Sequence, residues 1–111
     1  MTELEKRLLA TEGGIGPDDL RLCVLSRLRV DTGRWWRRSP LWVCATESHL
    51  ILLAVSRRKY IEQVALADCQ ASRYCAESGE LILEPVETLR FNRIRMTPSD
   101  ALDVLRAIGS I

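Results

Sequence analysis

Residues 41–69, LWVCATESHLILLAVSRRKYIEQVALADC, decide how this chain folds. An apolar run from Leu41 leads to a short polar turn at Glu47, Ser48 and His49. The most apolar run of the sequence, residues 50–55, comes next. A tight basic turn at 56–59 and another run containing Tyr60, Ile61 and Val64 complete the stretch. Two hairpins in succession, with β-branched and aromatic residues in the runs, predict a strand meander.

Upstream, residues 20–30 (LRLCVLSRLRV) alternate with period two. Leu20, Leu22, Val24, Leu28 and Val30 fall on one face, with only Ser26 breaking the set, and Arg21, Arg27 and Arg29 fall on the other. This is the pattern of a half-buried strand with a basic outer face. Residues 31–40 (DTGRWWRRSP) open with a turn signal at Asp31, Thr32 and Gly33 and close on Ser39 and Pro40. Proline is tolerated at the start of a strand, so the next strand is expected from about Leu41.

Downstream, a strand is expected near 71–75 and a hairpin turn at Glu77, Ser78, Gly79 and Glu80. A strand with Leu81 and Leu83 inward runs to Pro85. The last strand is expected to present Leu89 and Phe91. The clearest helix is C-terminal: Thr97 is a good N-cap, Pro98 suits the first helical position and Asp100 completes a capping box. Ala101, Leu102, Val104, Leu105 and Ile108 form its apolar face, and Gly109 stops it. At the other end, residues 2–12 predict a short helix, with Thr2 and Glu5 as a capping box and Leu4, Leu8 and Leu9 as its stripe. Gly13, Gly14, Gly16 and Pro17 break it. A helix this short must dock to persist.

The chain has 111 residues, 47% hydrophobic and 28% charged, which suits one globular core. The formal net charge of +1 argues against nucleic acid drawn by bulk charge. Charge is nevertheless polarised. Residues 21–59 carry nine basic side chains against Asp31 and Glu47, while residues 60–89 carry six acidic ones against Arg73. Such faces suit an anionic partner or head-to-tail self-association. The longest apolar run is far short of the ~20 residues of a spanning helix. The acidic N-terminus is unlike a secretory signal, so a cytoplasmic location is expected.

About seven short strands followed by one amphipathic helix fit a small sandwich or barrel with an open end plugged by the helix. Thr46 with the apolar residues Leu50, Ile51, Leu52 and Leu53, then Val64, Leu66, Asp68 and Cys69, then Gly79 and Leu81, and finally the helix after Thr97 resemble the bacterial pleckstrin-homology-like (PH-like) domains. The resemblance covers about residues 20–111 and leaves 1–19, a short N-terminal helix and linker, outside it. It implies a mainly β fold, a PH-like seven-stranded β-sandwich or partly open barrel capped by one helix. It also implies a binding scaffold rather than an enzyme, and a fold alone does not supply the ligand. In the family the loops after the first and third strands share the open end. Arg34, Trp35, Trp36, Arg37 and Arg38 would then lie close to Arg57, Arg58 and Lys59.

Such a cluster has three chemical readings. The arginines pair with phosphate or carboxylate on an anionic head group or membrane surface, the tryptophans resting at the interface. Alternatively, the tryptophans anchor a protein contact, including one with a second copy of the chain. In the third reading they fold back onto the sandwich under stacked arginines. The expectation is non-catalytic binding of a protein partner or homo-oligomerisation, with the anionic surface as the alternative. No cofactor or metal is expected: one histidine and four cysteines without zinc spacing make no metal site. Cys23, Cys44, Cys69 and Cys75 read as thiols, with Cys23 and Cys44 standing alone on their strands. His49 beside Glu47 and Ser48 reads as turn chemistry, because one turn cannot bring together a nucleophile, a base and an orienting acid.

Overall fold

The computed structural model describes residues 3–34, 37–55, 59–86 and 89–110, and describes no side chains at 17, 29–39, 55 and 59. It is mainly β, with two antiparallel sheets. The first joins β1 (Leu22–Arg34), β2 (Arg37–Ala45), β3 (His49–Val55) and β4 (Lys59–Ala65) in sequence order. The second joins β5 (Arg73–Cys75), β6 (Glu80–Ile82) and β7 (Arg93–Arg95). Helices α1 (Glu3–Thr11) and α2 (Pro98–Ile108) flank them. Among the described residues the sheets share no ladder, so the barrel is not closed.

The expected meander is β2–β3–β4. Its centre is buried more completely than a sandwich requires: Leu50, Ile51, Leu52, Leu53 and Ala54 are all at 0% exposure. Leu50, Leu52 and Ala54 face the second sheet and α2, in one core with Leu81, Leu83, Ile94, Val104 and Leu105. Ile51 and Leu53 face the other way, with Cys44, under Leu8 and Leu9 of α1 and Ile15. A strand covered on both faces has no polar face to alternate with, hence the unbroken apolar run.

Helix α1 therefore docks on the first sheet by the face carrying Glu5, Leu8 and Leu9, while Leu4, a quarter-turn off, is 49% exposed. Its exit needs glycine twice. A Cβ on Gly13 would lie 2.8 Å from the Leu9 carbonyl oxygen, and Gly14 has φ +66°. The expected Thr2 cap lies outside the described residues.

The turn expected at Asp31–Gly33 does not form. β1 runs on to Arg34, and β2 starts at Arg37, with Pro40 inside it opposite Arg29. Register shifts between Leu25 and Arg29, and again between Asp31 and Arg34, accommodate this. A proline removes a ladder donor and is accepted at such irregularities. Ser26, the break in the apolar set, sits in the first shift. It is 5% exposed, and its Oγ accepts the Leu28 amide at 3.2 Å.

In the second sheet the last strand lies later than the residues around Leu89 and Phe91 suggest. Those two pack into the core from a non-strand segment, and β7 presents Ile94 instead. Phe91 meets Tyr60 of β4 edge-on, with centroids 5.1 Å apart. Ile82 is buried as well as Leu81 and Leu83. Its ladder partners Arg73 and Arg93 lie on the same face of the sheet.

Helix α2 lies across the opening between the sheets, against β1, β2, β5 and the 3-10 turn Leu66–Cys69. The Thr97 Oγ1 accepts the Asp100 amide at 3.3 Å. Gly109, at φ +85°, lets its own amide and that of Ser110 reach the Leu105 carbonyl. Gln70 Nε2 donates to the Ile108 carbonyl at 2.6 Å and closes the same end. Leu102, expected on the apolar face, is 40% exposed.

Candidate functional site

In an antiparallel meander the first and third turns share one end, and the second lies at the other. The β1–β2 and β3–β4 hairpins therefore open together, at the end where the ladders stop at Arg34–Arg37 and Val55–Lys59. β2 pairs with β3 from Ala45 to Trp42 but with β1 as far as Arg37. The β1–β2 pair thus continues as a two-stranded ribbon along residues 37–41 of β2. At ~3.3 Å per residue this is a reach of roughly 15 Å.

The backbones of Arg34, Arg37, Arg38 and Lys59 lie at this end. Their side chains lie outside the description, and Trp35, Trp36, Arg57 and Arg58 lie outside the described residues altogether.

The opposite end has a cleft of about 430 Å³ between the linker after α1 and the β2–β3 turn. Thr46 Oγ1 accepts the amides of Ser48 and His49, so the hydroxyl builds the turn. Ser48 Oγ lies 2.8 Å from His49 Nδ1, and both residues are exposed. Glu47 is held by Arg21 at 3.6 Å rather than by His49. Gln63 Nε2 donates to the Gly13 carbonyl at 3.1 Å and fixes the cleft wall. These contacts serve chain geometry. A second hollow, about 650 Å³, lies between the 3-10 turn with the following Gln70 and Ala71 and the segment around Pro85 and Val86.

Sequence reasoning missed one pair. Cys23 and Cys44 are directly opposed on β1 and β2, with their sulfurs 3.0 Å apart. Cys23 is exposed and Cys44 buried. The hydrogen bond from Cys44 holds the Cys23 thiol below the usual range against the opposing effect of burial. The same bond, with burial, pushes Cys44 far up. A hairpin zipped without irregularity from Arg34–Arg37 would have set Ser48 opposite Cys23. The two register shifts bring Cys44 there.

The remaining thiols are separate. Burial raises Cys69, which is in the core, and a hydrogen bond from the Ser78 side chain lowers Cys75. Among the described residues no group of three or more His, Cys, Asp or Glu side chains is placed to hold a metal ion. Nor is any described helix long and apolar enough to cross a membrane. No protein-family model, curated protein or solved structure matches this chain.

Proposed function

We propose that this chain is a non-enzymatic, PH-like binding domain of the cytoplasm. In this reading it contacts a protein partner, a second copy of itself foremost, through the sheet end where the β1–β2 and β3–β4 hairpins open. One observation carries the reading: the strand order brings both basic hairpins to one end, and the β1–β2 ribbon runs on past the paired part of β3. Four sheet strands, then three, then a C-terminal helix across the opening agree with the element order of the PH-like resemblance.

Two tryptophans among arginines in the chain between β1 and β2 are suited by composition to a protein contact, since Trp and Arg dominate interface hot spots. The acidic half of a second copy, including exposed Asp68 and Glu77, offers a complement in charge.

The test is solution mass by light scattering for wild type and the Trp35→Ala, Trp36→Ala double variant, at low salt and at 1 M, where the Debye length is ~3 Å. A salt-resistant dimer that the variant dissociates supports self-association through this stretch. A wild-type monomer throughout overturns self-association. Anionic vesicles then test the alternative, which predicts binding that falls steeply with salt.

A further inference from the structure

We propose that Cys23 and Cys44 are a redox pair that closes to a reversible disulfide by exchange with a low-molecular-weight disulfide of the glutathione type. The geometry is already close. Directly opposed residues of antiparallel strands have Cα atoms about 4.5–5.5 Å apart, inside the range of roughly 4.4–6.8 Å that a disulfide spans. The sulfurs are 3.0 Å apart. Closure to a bond of ~2.05 Å requires an approach of about 1 Å. β1 is an edge strand of its sheet with a register shift immediately beyond Leu25, so the approach falls to β1, which packs against β7 and α2 but has a ladder partner on one side alone. β2 is held between β1 and β3.

The two cysteines divide the work. Cys23 is exposed, and its thiolate is favoured by the hydrogen bond that Cys44 donates, against burial and, to a smaller extent, the carboxylate of Glu5. It is the attacking thiol. Its thiolate attacks one sulfur of RS–SR, the S–S bond breaks, and RS⁻ leaves and takes a proton from solvent. Cys44, buried under α1 and shielded from outside reagents, loses a proton to solvent and attacks the Cys23 sulfur. The second RS⁻ is released and protonated. In sum, two protein thiols and one RSSR give one protein disulfide and two RSH, with two electrons passing to the reagent. The product ties β1 to β2 near the root of the ribbon and encloses the whole β1–β2 hairpin.

The experiment equilibrates the full chain, carrying Cys75→Ser to remove the other accessible thiol, in oxidised and reduced glutathione at graded ratios. Acid quenching, alkylation and peptide mass mapping follow. The expected result is a chain two hydrogens lighter, with a Cys23–Cys44 linked peptide that dithiothreitol reverses. Closing a loop of this length should raise the melting temperature by about 10 °C.

Adding Cys44→Ser should trap one glutathione on Cys23, and adding Cys23→Ser should trap none. Thiols that stay alkylatable across the native chain's redox series overturn the proposal. So does a Cys23–Cys44 link that forms only in denaturant.

Discussion

The two sheets bury their strands differently. β3 has five consecutive residues at 0% exposure because it is covered from both sides, by the second sheet and α2 on one and by α1 on the other. β7, three residues long, alternates exposed Arg93, buried Ile94 and exposed Arg95, because only one of its faces meets the core. The same antiparallel ladder thus gives an unbroken apolar run in one place and strict alternation in another. What lies across each face decides which. Helix α1 thus has a structural role: without it, Cys44, Ile51 and Leu53 would face water.

The most severe test of this contrast is a pair of truncations in β3. Leu52→Ala, on the inner face, should cost about 3–5 kcal/mol, and Ile51→Ala, on the α1 face, about 2–4 kcal/mol. Both are read from urea unfolding midpoints. Ile51→Ala should in addition strip hydrogen-exchange protection from α1. A cost below ~1 kcal/mol for Ile51→Ala would mean that α1 does not cover that face.

Ile82→Ala comes next. Ile82 belongs to neither core cluster and faces Arg73 and Arg93 across the ladder, so the change should cost about 1–2 kcal/mol, less than either β3 change. A loss equal to that of Leu52→Ala would break the distinction between the sheets.

Thr97→Ala removes the N-cap of α2 and should cost ~1 kcal/mol in the same assay. Leu102→Ser, on the exposed side of that helix, should stay within about 0.5 kcal/mol.

The smallest effect is one of pH, where β4 meets the segment carrying Phe91. Burial, then the 2.7 Å hydrogen bond to Glu62, raises the Tyr60 phenol well above its ordinary value of ~10. The folded state therefore holds this proton more tightly than the unfolded chain. The stability it contributes is complete below pH ~10 and declines as pH rises beyond it. Tyr60→Phe should flatten that alkaline decline in a pH series of melts. An unchanged slope would mean that this tyrosine is not the group responsible.

Much of this architecture was legible from local chemistry. The meander, the turn before β6, and the start and stop of α2 each depend on residues within a few positions of one another. Thr97, Pro98 and Gly109 act where they stand, and Gly79 adopts φ +69° in the turn where it was expected. The exposed sides of Leu4 and Leu102 were not legible, because a helical stripe does not say how far the partner surface extends. The late position of β7 was hidden for a similar reason: Leu89 and Phe91 are buried, as strand residues would be, without a ladder.

The candidate contact residues were legible only as composition, two tryptophans among arginines. The expectation that they converge with the second basic turn came from the PH-like resemblance rather than from spacing. The strand order brings the hairpins that carry them to one end.

By itself, then, the sequence determined the local punctuation: caps, tight turns and the apolar runs between them, all set by interactions across a few residues. Only the tertiary structure decided the register. Two slips along β1 and β2 carry the chain past Pro40, bury Ser26 with its hydroxyl satisfied, and set Cys23 against Cys44. Register depends on which faces are covered from both sides, and that is a property of elements distant in sequence. The stretch from 41 to 69 names the strands, and α1, α2 and the second sheet, packing from either side, fix which residues meet.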